Sequence, residues 1–183
     1  MCAVSVAEVP IPQDALVAAS LQPIHYGDCY RMQVPKNFTG GVDDLTGLIF
    51  SPASNPSWAS GLTKVRDSVV GLFGIKRVTP GPGAAKQGDS LQPGQRRLLF
   101  PIIARTDTEL LLGLDDRHLD FRVSVRLVEE GANRSVDVAT VVKFHNLLGR
   151  AYFVPVKPFH RLLVPAIMKK AALNWEMANT DEG

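Results

Sequence analysis

Four segments between residues 97 and 145 constrain the fold more than any other part of the chain. RLLFPIIART (97–106), ELLLGLD (109–115), HLDFRVSVRLV (118–128) and SVDVATVVKFH (135–145) are dense in branched and aromatic residues, as strands are. What joins them is short: the polar turn Thr106, Asp107, Thr108, then a turn at Asp115, Asp116, Arg117, then EEGANR. Parallel neighbours need a crossover of about a dozen residues or more, so these segments predict an antiparallel meander. In the third segment Leu119, Phe121, Val123, Val125 and Leu127 share one face, and Asp120, Arg122, Ser124 and Arg126 share the other. The apolar face needs a cover; the polar one is expected to meet water.

The cover is expected from LLGRAYFVPVKPFHRLLVPAIMKKAALNW (147–175). Leu148, Tyr152, Val156, Phe159, Leu163 and Ile167 recur at helical steps. Pro155, Pro158 and Pro165 argue against a straight helix, so it is expected to kink or to start near Pro158. Upstream, DCYRMQV (28–34) alternates as a strand with Tyr30, Met32 and Val34 on one side. Two short helices are predicted after it. One covers 43–51, and the other covers 55–74 with Trp58, Leu62, Val65 and Val69 on its apolar face. Residues 79–95 are loop by composition, and they lack the Lys-Ser/Thr pair that a phosphate loop requires. The expected fold is α+β of helix-grip type: a curved antiparallel sheet wrapped around a long C-terminal helix, with two short helices after the first strand. The expected organisation is a loosely ordered segment over 1–20, one domain over 21–175 and a frayed tail over 176–183. A sheet gripping a helix commonly leaves a cavity between them.

Charge narrows the function classes. Twenty Lys and Arg against 18 Asp and Glu give a net charge of +2, with no basic block. Nucleic acid is therefore not expected as a partner. Cys2 and Cys29 lack CxxC partners and are read as reduced thiols. The N-terminus lacks a basic stretch before its apolar residues, and no apolar run approaches the ~20 residues of a membrane span. The expected location is the cytoplasm; whether the protein is a monomer or a dimer is left open.

The order of elements matches the helix-grip fold of the START-like superfamily, which includes the birch pollen allergen and the polyketide cyclases. SWASGLTKVRDSVVGLFGIK, LLGLDDRHLDFRVSV and FHNLLGRAYFVPVKPFHRLL together resemble the bacterial domain-of-unknown-function family 2867, over roughly residues 25 to 172. That family is similar to stand-alone small proteins and to a domain attached to nucleotide-binding reductase-like proteins. The resemblance implies a fold and a candidate pocket, and no chemistry. Pro155 departs from what the family's terminal helix leads one to expect.

The charged stretch DDRHLDFR has three readings: a hairpin whose polar side faces water, a salt-bridge network, or an acid–base site. In the last, Asp120 would orient His118, with His145 as a further candidate. No nucleophile or oxyanion donor accompanies them. No two of the four histidines have metal-ligand spacing, so neither a metal nor a cofactor is expected. Asn146 is expected to cap the terminal helix. Tyr30, Met32, Trp58, Arg122, Tyr152 and Phe159 are the expected lining of a ligand pocket. The leading expectation is a domain that binds an apolar or amphipathic small molecule. The alternatives are an enzyme acting on a hydrophobic substrate, of cyclase, dehydratase or hydrolase type, and an accessory domain docking onto a reductase-like partner.

Overall fold

In the computed structural model, residues 4–35, 38–58, 92–93, 96–97, 100–131 and 133–178 are described. The strands are β1 (Val6–Glu8), β2 (Tyr26–Gln33), β3 (Arg96–Arg97), β4 (Phe100–Arg105), β5 (Glu109–Asp115), β6 (Leu119–Glu130) and β7 (Asn133–Phe144). The helices are α1 (Leu16–Ala19), α2 (Val42–Ile49) and α3 (Leu147–Ala178), with a 3-10 turn at Pro52–Ser54. The chain is α+β. Its strands form one curved antiparallel sheet in the order β1-β2-β7-β6-β5-β4-β3. Short helices follow β2, and the long α3 closes the chain. The helix expected over 55–74 falls from residue 59 onward outside the described residues, as does most of the loop at 79–95.

β6 and β7 are the spine of the sheet. They pair without a break from Leu119↔Phe144 to Glu130↔Asn133. Gly131 opens their turn with φ 62°, a conformation open to glycine but costly for most residues. β2 then pairs with the other edge of β7, from Tyr26↔Val142 to Gln33↔Ser135. The concave face buries Tyr30, Met32, Leu110, Leu112, Val125 and Val138 against α2 and the C-terminal half of α3. Asp44 fixes the start of α2 by accepting a hydrogen bond from the Gly41 N–H at 2.9 Å.

The convex face is not wet, and this corrects the sequence reading. Arg122, Ser124, Asp137 and Glu109 are all buried. Ala15 and Val17, from the segment expected to be loosely ordered, pack there with Leu21 on Cys29, Leu111, Ala139 and Val141. Polar pairs pin the segment in place. Glu109 accepts from the Leu16 N–H at 3.0 Å and from the Ser124 hydroxyl at 2.5 Å. The Arg126 guanidinium holds Asp14 at 2.5 and 3.0 Å. The reason is visible in β5 and β7: their runs LLLGL and VATVV are apolar at both parities, so both faces of the sheet need cover. β1 also pairs with β2, from Val6↔Met32 to Glu8↔Tyr30.

α3 is one unbroken helix despite its three prolines, and it continues past the point where a frayed tail was expected. Asn146 caps it, accepting from the Gly149 N–H at 3.0 Å while donating to the Arg117 carbonyl at 3.1 Å. Each proline frees the carbonyl four residues earlier, at Ala151, Val154 and Arg161. All three of those residues are exposed, so water can take the freed acceptors. The helix is seated at its ends: Gly149 and Phe153 are buried near its start, and Met168, Ala171 and Ala172 further on. From Val154 to Ile167 no residue is buried.

Candidate functional site

Under that unburied stretch of α3 lies a carboxylate on an otherwise largely apolar face. β2 reads YGDCYRMQ, and alternation puts Tyr26, Asp28, Tyr30 and Met32 on the concave side. The Asp28 side chain is 2% exposed. Tyr26 donates its hydroxyl to Asp28 Oδ2 at 2.5 Å. From α3, His160 Nε2 lies 3.3 Å from Oδ1 and 3.2 Å from Oδ2. Asp28 thus has two side-chain hydrogen-bond partners, the Tyr26 phenol and the His160 imidazole. Among the described residues no Lys or Arg is paired with Asp28.

Thr140 sits directly across from Asp28 in the β2–β7 register and across from Val123 in the β6–β7 register. Its hydroxyl is buried and has no hydrogen-bond partner. An unsatisfied buried hydroxyl costs folding free energy, so its position calls for a reason. Aromatic groups frame the cluster. Tyr26 packs at 4.7 Å from Phe153 and at 6.2 Å, edge-on, from His160. Lys157 Nζ stands 5.4 Å from the centre of the Tyr26 ring. One turn of α3 along, Arg161 reaches Glu8 at 2.7 Å. Burial, then the hydrogen bond to Asp28 and its charge, push the Tyr26 phenol well above its ordinary value, and burial raises that of Tyr30. Both phenols therefore stay neutral; Tyr26 donates to Asp28, and Tyr30 accepts from Arg161.

Further along the crevice, Met32, Val34, Phe38, Leu45, Ile49 and Trp175 help to line an apolar cleft of about 20 Å³. That is room for roughly one water or a methylene group.

The expected site residues separate into several places. Tyr30 and Met32 belong to the concave face as expected and are buried. Arg122 is on the opposite face, where it donates to Asp115 at 2.6 Å and to the Phe121 carbonyl at 2.9 Å. Trp58 is 46% exposed and Phe159 41% exposed, so neither is enclosed. Phe159 misses because the inward line of α3 runs Phe153, Val156, His160, Val164, Met168, which places it on the flank. His118 is buried at the far end of the sheet, edge-on to Tyr152 at 5.3 Å and 3.5 Å from Asp116. Asp120 meets not His118 but the exposed His145, at 2.9 Å. The pairs differ from the expected network, in which Asp116 or Asp120 meets Arg122 or an arginine of the terminal helix: Arg122 takes Asp115, while Asp116 and Asp120 face His118 and His145. Asp28, Tyr26 and Thr140 were missed. The signal was available in parity, since Asp28 falls on the same side of its strand as Tyr30 and Met32.

Among the described residues no group of three His, Cys, Asp or Glu converges as a metal site would require. No helix of the described residues is long and apolar enough to cross a membrane.

Comparison with known proteins gives a family. The sequence pattern described as "Protein of unknown function (DUF2867)" matches residues 20–167. The chain belongs to the DUF2867 family. The match begins at residue 20, just before the cis peptide between Gln22 and Pro23 that leads into β2, and ends within α3. The Asp28 cluster of this DUF2867 protein therefore lies wholly inside the family region. Among solved structures, protein Ms6760 from Mycobacterium smegmatis is similar at 8% identity and a TM-score of 0.40, with 80% of this chain and 89% of that one covered. CalU16 from Micromonospora echinospora is similar at 13% identity and a TM-score of 0.32, with 95% of each chain covered. The comparison with curated proteins returns no match.

Proposed function

We propose that this DUF2867 protein binds an amphipathic small molecule between the concave face of its sheet and the middle of α3. The observation that carries this reading is the under-satisfied, buried polar set beneath an unburied helix segment: the Asp28 carboxylate and, across from it in the register, the partnerless Thr140 hydroxyl. Polar groups that few neighbours satisfy, set among aromatic rings, are what a binding site uses to orient a ligand. The helix above them is buried at its two ends, while at its centre Val156 and Val164 pack partly buried and His160–Asp28 and Arg161–Glu8 add polar ties. Three prolines have already removed hydrogen bonds from that helix, so a ligand can enter with little further loss of helical structure.

The test is a titration with hexan-1-ol, a neutral amphiphile, followed by heteronuclear NMR. Saturable shifts at Tyr26, Thr140 and His160, with β3 and β4 silent, support the reading. Shifts that do not saturate, or that fall elsewhere, refute it. A second reading, proton transfer on the bound molecule, is favoured by the carboxylate-oriented imidazole of His160. It requires that wild-type protein speed the α-proton exchange of cyclohexanone in D₂O beyond the rate seen with His160→Gln. Equal rates remove it.

A further inference from the structure

We infer that the polar end of the site selects a protonated amine carrying an apolar chain, and discriminates against a carboxylate on the same chain; this rests on the binding reading above. Three observations converge on it.

The first is the charge of the deepest group. Asp28 is 2% exposed. Its carboxyl is held by a phenol and an imidazole, with no guanidinium or ammonium partner among the described residues. Lys157 is exposed, and the exposed Arg161 is already engaged with Glu8. Charges in water are screened and contribute little, whereas a buried carboxylate acts through a poorly screened medium. The buried group therefore sets the preference of the site, and it is an anion.

The second is the count of hydrogen bonds. A carboxylate offers about four acceptor positions, and Tyr26 and His160 take two of Asp28's. Thr140, opposite Asp28 in the register, adds an acceptor hydroxyl with no partner. An ammonium group brings three donors and no acceptor. It matches a set that is rich in free acceptors; a ligand carboxylate, with acceptors alone, would meet Asp28 oxygen to oxygen.

The third is that an ammonium group already stands here. Lys157 Nζ lies 5.4 Å over the ring of Tyr26, the same residue whose hydroxyl holds Asp28. The face of an aromatic ring attracts a cation, so the edge of the site accepts that chemistry. Lys157 is a long exposed side chain that a ligand amine can displace.

The experiment compares hexylammonium, hexanoate and hexan-1-ol at neutral pH by calorimetry and NMR on the whole protein. Hexylammonium is expected to bind about tenfold tighter than hexanoate, the scale of one charge-assisted hydrogen bond. In Asp28→Asn the ratio should fall towards one while hexan-1-ol binding persists. Lys157→Gln should raise hexylammonium affinity, because it removes the competing ammonium; should Asp28→Asn fail to fold, this variant and the wild-type ratio decide. Hexanoate binding as tightly as hexylammonium overturns the inference, as does a preference that survives in folded Asp28→Asn, or a loss of amine affinity in Lys157→Gln. If hexan-1-ol binds and the amine preference is absent, only this inference fails. If none of the three binds, the binding reading falls with it.

Discussion

Thr140→Val isolates the tension between folding and function at the site. The Thr140 hydroxyl is buried with no partner, between Asp28 on one neighbouring strand and Val123 on the other. Burying a hydroxyl without a hydrogen bond costs about 1–3 kcal/mol in protein mutational data. Valine has nearly the same shape, suits a strand, and replaces the hydroxyl with a methyl that neighbours such as Val123 can contact. The substitution is therefore expected to stabilise the protein by about 1–2 kcal/mol, net of small packing adjustments. For a chain of this size each kilocalorie raises the melting temperature by about 2–4 °C. Calorimetric melting and urea unfolding should agree on the gain, with an unchanged denaturant slope. Hexylammonium affinity should fall about tenfold, the worth of one hydrogen bond to a charged group. A buried threonine that makes the fold less stable and a ligand tighter is hard to explain except through the ligand. A melting temperature that stays level or drops refutes the argument, because the hydroxyl then contributes to the fold itself.

Gly149→Ala sets helix propensity against sterics: alanine in a helix interior is favoured by about 1 kcal/mol, but the new Cβ would lie 2.0 Å from the His118 carbonyl oxygen and 2.9 Å from its carbon. Sterics should win by about 1–3 kcal/mol on urea unfolding, since backbone cannot step aside cheaply, and a stabilised variant would refute the contact. Val17→Asp should destabilise by several kcal/mol and open Cys29 to maleimide, because Val17 is fully buried against the convex face. A change under about 0.5 kcal/mol would show the N-terminal segment to be loosely held after all. Stability should also fall in alkali. Burial pushes the Cys29 thiol from an ordinary 9.0 up to about 12, so between these values the unfolded chain has lost a proton that the folded one keeps. Stability then declines by at most about 1.4 kcal/mol per pH unit from Cys29. Cys29→Ala should show a shallower decline over pH 9–12, the tyrosines contributing equally to both proteins, and identical slopes would refute the buried thiol's role.

The meander was legible because turn chemistry and strand composition agree there; β5 spans Glu109–Asp115, the bounds that its sequence implies. The convex face was misjudged because the alternation of β6 was taken to stand for the sheet. A polar parity in one strand does not make a face wet when its neighbours carry Leu111, Ala139 and Val141 there. Arg122, Ser124 and Arg126 instead find partners within the fold and the N-terminal segment. The prolines of α3 were legible as a weakness but not as a tolerated one. What rescues them is exposure of the freed carbonyls, a tertiary property. The phase expected for the helix is one residue off at Phe159, which lies on the flank while His160 takes the inward line and meets a carboxylate, Asp28.

The two faces of the sheet differ in a way that bears on function. On the convex side the charges are closed pairs: Arg31 grips Asp137 at 2.7 and 2.8 Å, and Arg126 grips Asp14. Such pairs orient neighbouring elements and match each buried charge with its opposite. On the concave side Asp28 is held by a phenol and an imidazole, and Thr140 has no partner. Selection for stability alone would place an apolar residue at either position, as at Tyr30, Met32 and Val138 around them. Incomplete polarity on a core face, beneath a helix segment with no buried residue, is an arrangement that a third molecule can complete.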